Sequence, residues 1–102
     1  MRRKAVRMHN NDNVAVLVED AEFGDEVVIM NEEDAPTVVA SQKIPYGHKV
    51  ALRSVKAGQP VIKYGELMGM ATEDIDVGHH VHTHNVRGLS THERGGKIDA
   101  AL

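Results

Sequence analysis

Apolar and polar residues alternate along this chain in short bursts, and nowhere does an i, i+3, i+4 apolar spacing persist over the roughly ten residues a helix needs. Period-two alternation sends successive side chains to opposite faces of a pleated strand, so it predicts strands over 4–9, 14–18, 26–30, 37–41, 49–55, 60–64 and 80–86. At most a short helix is predicted, around 65–68 or 72–74. One phrase recurs between the strands: Gly24-Asp25-Glu26-Val27, Gly47-His48-Lys49-Val50, Gly58-Gln59-Pro60-Val61 and Gly78-His79-His80-Val81. Each joins a residue free to take positive φ to one that suits a pleated strand, and so reads as a turn feeding a strand. The glycines are unevenly spaced, which marks a recurrent local device and not a solenoid. The fold class predicted is mainly β.

Composition narrows the picture. A chain of 102 residues suits one domain with one core, and 41% hydrophobic with 26% charged residues suits a folded chain. Phe23, Tyr46 and Tyr64 are the aromatic residues, so Val, Ile, Leu, Met and Ala must build the core. A net charge of −3 argues against a nucleic-acid partner, since phosphate neutralisation needs a basic surface. The absence of cysteine removes disulfides, thiolate nucleophiles and thiolate metal sites. No apolar run approaches the length of a membrane span and no signal-peptide pattern opens the chain, so the expected location is cytoplasmic with no membrane partner.

The candidate chemistry is concentrated in Gly78-His79-His80-Val81-His82-Thr83-His84-Asn85. In an extended strand His80, His82 and His84 share one face, and a pair at i and i+2, about 6.6 Å apart at Cα, can converge on one cation. His82 and His84 are therefore candidate metal ligands, with Asp12, His9 or a partner chain completing the set. A polar edge strand with ordinary hydrogen bonds is the plainer alternative. The run Met8-His9-Asn10-Asn11-Asp12-Asn13-Val14 reads first as a tight loop closed by its own Asn and Asp side chains, and second as a rigid platform presenting His9 or Asp12. Lys49 and Lys63, each beside a glycine turn, suit a carboxylate, and Tyr64 can donate to a hydroxyl.

The ordered blocks Asp12-Asn13-Val14-Ala15-Val16, Ile44-Pro45-Tyr46-Gly47-His48-Lys49-Val50-Ala51-Leu52, Lys63-Tyr64-Gly65, Gly69 with Ala71, and Gly78 followed by His80-Val81-His82-Thr83-His84-Asn85-Val86 resemble the N-terminal SAF-type domain of the altronate and galactarate dehydratase family. The resemblance covers about residues 5–88. It implies a compact SAF-like β-clip domain over 1–88, followed by a tail over 89–102 available for docking a partner. It further implies the separate small-subunit form, inactive alone, with the site completed by a large catalytic dehydratase subunit and with self-association open to the isolated chain. The implied reaction is β-elimination of water from a 2-hydroxy sugar acid. Loss of sulfite from sulfolactate, or a non-catalytic module binding sugar acid or metal, are the alternatives. The implied cofactor is a divalent metal, Fe(II) or Mn(II), held mainly by the large subunit. On this reading His82, His84 and His48 are catalytic candidates, and Lys49, Lys63, Tyr64, Asn85, Asp12 and Asn13 are candidates for substrate binding. His79 and His92 are given no role.

Overall fold

A computed structural model describes residues 1–90 apart from 31, 33, 34 and 36. The expected tail beyond residue 90, with His92, lies outside the described residues. Nine strands are present among them: β1 (Arg2–Val6), β2 (Val14–Leu17), β3 (Glu26–Ile29), β4 (Val38–Val39), β5 (Lys49–Ala51), β6 (Pro60–Lys63), β7 (Glu66–Ala71), β8 (His80–Val81) and β9 (Val86–Arg87). They form a six-stranded sheet in the order β4-β3-β1-β2-β5-β8 and a three-stranded sheet in the order β6-β7-β9. The chain is mainly β, as expected.

The short helix expected near 65–68 or 72–74 is a correction. Residues 66–71 are strand β7, and 72–74 are irregular chain. Tyr64 and Gly65 have φ of 58° and 72°, and Lys63 pairs with Glu66, which is a two-residue hairpin with both central residues left-handed. Its two amides donate to one carboxylate, Tyr64 N–H to Asp12 Oδ2 at 3.0 Å and Gly65 N–H to Asp12 Oδ1 at 2.8 Å. A local spacing compatible with helix thus loses to a tertiary hydrogen-bond partner fifty residues away in sequence.

The recurrent glycine phrases are four copies of one turn. The fourth residue's N–H donates to the first residue's carbonyl in Glu22–Asp25, Pro45–His48, Lys56–Gln59 and Asp76–His79, at 2.9–3.1 Å. The third residue is Gly24, Gly47, Gly58 or Gly78, with φ between 82° and 88°, as a type II turn requires. The apolar residue ahead of each turn, Ala21, Ile44, Val55 or Ile75, is buried, and these pair as Ala21↔Ile44 and Val55↔Ile75. The four phrases are therefore two couples.

Each couple nucleates its own core. Ala21, Val27, Ile44 and Val50 belong to one buried cluster, and Val55, Val61, Ile75 and Val81 to the other. The β2–β5 pair divides them: Ala15↔Val50 faces the first core and Val14↔Ala51 the second, because pleating alternates the faces. Asn13 ties β2 to the second sheet by imitating a strand, donating from Nδ2 to the Pro60 carbonyl at 3.0 Å and accepting at Oδ1 from Ile62 N–H at 2.8 Å.

Two outcomes test this frame. Gly78→Ala and Gly24→Ala both force a left-handed alanine, at about 1–2 kcal/mol each. A Cβ at Gly78 would also run into the Val39 carbonyl oxygen, whereas at Gly24 it meets open space. Denaturant unfolding should therefore show Gly78→Ala as clearly the more destabilised variant; equal losses would refute the close approach. Asp25 accepts from the Glu22 N–H and from Arg3 Nε, both at 2.9 Å. Those bonds lower its pKa from 3.8 to about 2. A depressed carboxyl stabilises the fold fully above its unfolded pKa and loses that contribution as pH falls toward the folded value. Urea midpoints of the native chain should thus drop between about pH 4 and about pH 2 more steeply than those of Asp25→Asn; parallel curves would exclude Asp25 as a source of acid sensitivity.

Candidate functional site

The histidine-rich segment is not the continuous strand expected over 80–86. Strand β8 ends at Val81, residues 82–85 turn, and β9 begins at Val86. Asn85 causes the break. Its Oδ1 accepts from His82 N–H at 2.9 Å, its Nδ2 donates to the His80 carbonyl at 2.8 Å, and its own N–H donates to the His82 carbonyl at 3.1 Å. A buried amide that satisfies three main-chain groups in one turn outweighs the strand preference of alternating residues.

The turn gathers imidazoles from two strands. Lys49 pairs with Val81 and Val50 with His80, so the chain just ahead of β5 brings His48 beside the histidine loop. His48 Nδ1 and His80 Nε2 are 2.8 Å apart, a hydrogen bond in which one ring nitrogen donates to the other. The His48 ring stacks on His82 with centroids 3.9 Å apart, and His80 lies 5.0 Å from both His48 and His84. One ligand atom from each of His48, His80 and His82 falls within 4.8 Å of the others. His84 is exposed and touches the group only through His80.

His48 is free for this contact because of the residue three positions earlier. In the turns Glu22–Asp25 and Lys56–Gln59 the fourth side chain folds back to the first residue's N–H, at 2.9 Å in both. Pro45 has no N–H, so the ring at His48 has nothing to cap. His80 is held at the main chain as well, its N–H donating to Gln42 Oε1 at 2.9 Å.

A cleft of about 260 Å³ adjoins the rings, with Lys49, Lys63, His82 and Thr83 around apolar Val61 and Val81. Neither lysine has a carboxylate within ion-pair reach among the described residues. Lys63 instead lies over its neighbour Tyr64, 4.9 Å from the ring centroid. Burial, and then the charge of Lys63, lower the pKa of Lys49. Burial also drives His80 down to about 4, helped by His84, His48, His82 and Lys49, and the same kinds of influence lower His82. Near neutral pH, His80 is therefore an uncharged ring, and His82 is biased the same way, beside two lysine side chains. Such a surface can accept or donate single protons and attract a carboxylate.

The sequence candidates divide accordingly. Lys49, Lys63, His48 and His82 come together, with His84 at the margin. Asp12, Asn13 and Asn85 are buried with their side-chain oxygens engaged by main-chain amides, so touching a substrate would require them to surrender framework bonds. Tyr64 is an exposed turn residue, His9 caps Asn11 N–H through Nδ1, and His79 bonds Ser41 at 3.0 Å. His80 and Pro45 were the residues sequence reasoning passed over. The signal available was that Pro45 is the one first-position residue in the four turns without an amide hydrogen.

Over 82 residues, 80% of this chain and 16% of the relative, the sequence is 44% identical to an altronate dehydratase of Escherichia coli (strain K12). It is 47% identical over 60 residues to the alpha subunit of a (2R)-sulfolactate sulfo-lyase of Paracoccus pantotrophus, covering 59% of this chain and 90% of that subunit. A second such alpha subunit, from Chromohalobacter salexigens, is 33% identical over 84 residues, covering 78% of this chain and 89% of the subunit. The chain thus spans only a small part of the dehydratase but nearly the whole of the sulfo-lyase subunits. Residues 3–89 match the altronate/galactarate dehydratase SAF domain, and the chain belongs to that family.

Proposed function

We propose that this chain is the small subunit of a sugar-acid lyase, supplying a carboxylate-binding and proton-transferring wall to a site that a large subunit completes. The observation that carries the reading is the pair Lys49 and Lys63, two lysines with no carboxylate partner among the described residues that face one cleft with His82 in its wall. Uncompensated like charges in a cleft are unfavourable until an anion arrives, which makes a carboxylate the fitting ligand.

The chemistry follows from that placement. In β-elimination from a 2-hydroxy acid, the C2–H bond breaks toward a base, the C3–O bond breaks with proton delivery to give water, and the resulting enol becomes a 2-keto-3-deoxy acid. Lys49 and Lys63 hold the carboxylate and oppose the negative charge that builds on it as the C2 proton leaves. His82, at the cleft wall, accepts or delivers a proton, with His48 stacked behind it and His84 at the rim. A divalent metal held by the large subunit would assist departure of the hydroxyl as a Lewis acid. The substrate class proposed is altronate or galactarate. Sulfolactate is a second reading, favoured by coverage of 90% of a sulfo-lyase alpha subunit, and needs only sulfite in place of hydroxide as leaving group.

Reconstitution tests this. The chain alone should be inactive on altronate, galactarate and sulfolactate, and one of them should be turned over when it is combined with a large subunit of the dehydratase type. In that complex His82→Asn should lower kcat at least about 100-fold. Lys63→Met should raise KM and lower kcat together, since Lys63 both holds the carboxylate and opposes the charge that builds on it. Unimpaired turnover in the His82 variant, with assembly intact, would leave only a non-catalytic accessory role.

A further inference from the structure

We propose that His48, His80 and His82 form a three-imidazole site for a divalent transition-metal ion, carried by this chain itself. The starting point is distance. Two ligand nitrogens on one ion, each about 2.05 Å from it, lie about 3.3 Å apart in a tetrahedron and about 2.9 Å apart at neighbouring octahedral corners. His48 Nδ1 and His80 Nε2 are already 2.8 Å apart, and the complete set spans no more than 4.8 Å. Closing the set on one ion requires the third nitrogen to move inward by roughly 1–2 Å.

A hydrogen-bonded, stacked cluster accounts for only part of the arrangement. It satisfies His48 and His80 through each other, but neither ring nitrogen of His82 meets a protein hydrogen-bond partner among the described residues, although the ring lies 3.9 Å from that of His48. The main chain that carries the rings is held from behind. Asn85 holds the His80 carbonyl and the His82 amide, Gln42 holds the His80 amide, and Pro45 leaves His48 unengaged. A fixed main chain at the ligand positions lowers the cost of assembling a metal site.

The donor set selects the ion. Three imidazoles with no carboxylate suit Zn(II), Co(II) or Fe(II), while Ca(II), Mg(II) and Mn(II) favour oxygen ligands. Fe(II) thus fits these residues better than Mn(II). Three protein ligands leave at least one position open toward the cleft, as in catalytic and not structural sites. The inference competes with the proposed proton transfer for His82, since a nitrogen bound to a metal cannot take a proton, and it moves the metal from the large subunit to this chain; it stands or falls without substrate or partner.

Titration of Co(II) alone into the full 102-residue chain, followed by visible absorption, should saturate at one ion per chain. His48→Ala, His80→Ala and His82→Ala should each weaken binding at least about tenfold, with His79→Ala and His84→Ala within about threefold of the native chain. Circular dichroism and thermal melting establish that each variant is folded. Excess Mg(II) or Ca(II) should not displace the cobalt. Failure of Co(II) to bind, losses at His79 equal to those at His82, or a loss at His84 with none at His80 would overturn the site. Metal binding without any lyase activity in the complex would sink the proposed function and leave this inference standing, and the converse result would do the opposite.

Discussion

The structure depends on a four-residue turn that is closed from both sides. In Glu22–Asp25, Lys56–Gln59, His9–Asp12 and His82–Asn85 the fourth residue's N–H donates to the first carbonyl, while the fourth side chain accepts from the first N–H. A small domain made of short strands must reverse direction often, and every reversal exposes main-chain groups that burial would penalise. Here the reversals satisfy those groups internally, so the buried residues flanking each turn can sit in a core without unpaired amides.

Variation on that turn makes the site. Asp25 and Gln59 are occupied in closing their own turns, whereas Pro45 removes the group that His48 would otherwise cap. The same closure at His82–Asn85 ends β8 early and folds the histidine loop back on itself, bringing His82 onto His48. The candidate site on this scaffold therefore forms where one hydrogen bond of a structural motif is deleted and where another copy of the motif interrupts a strand.

Electrostatics then defines the ligand. Burial keeps His80 uncharged near neutral pH and biases His82 the same way, while Lys49 and Lys63 stand at the adjoining cleft. On the proposed reading, lysines with no carboxylate partner among the described residues would attract an acid, and imidazoles offer lone pairs. Asp12, Asn13 and Asn85, named from the sequence as candidates for substrate binding, are the groups that hold the two sheets and the loop in register.

Much of this was legible in the sequence. Alternation announced a mainly β chain, the glycine phrases announced turns, and the blocks from Asp12 to Asn85 carried the family resemblance, because each is a local property of residue type and spacing. Residues 66–71 were not legible, since the hairpin that turns them back on β6 is closed by Asp12, far away in the chain, and their other edge pairs with β9. The histidines meet by another route than the one expected: a pleated strand would have aligned His80, His82 and His84, and the Asn85 turn instead sets His80 and His82 against His48. Sequence by itself determined which side chains were available and that the chain would form strands. Tertiary structure decided which of them meet, because the hydrogen bonds that place them join residues that only folding brings together.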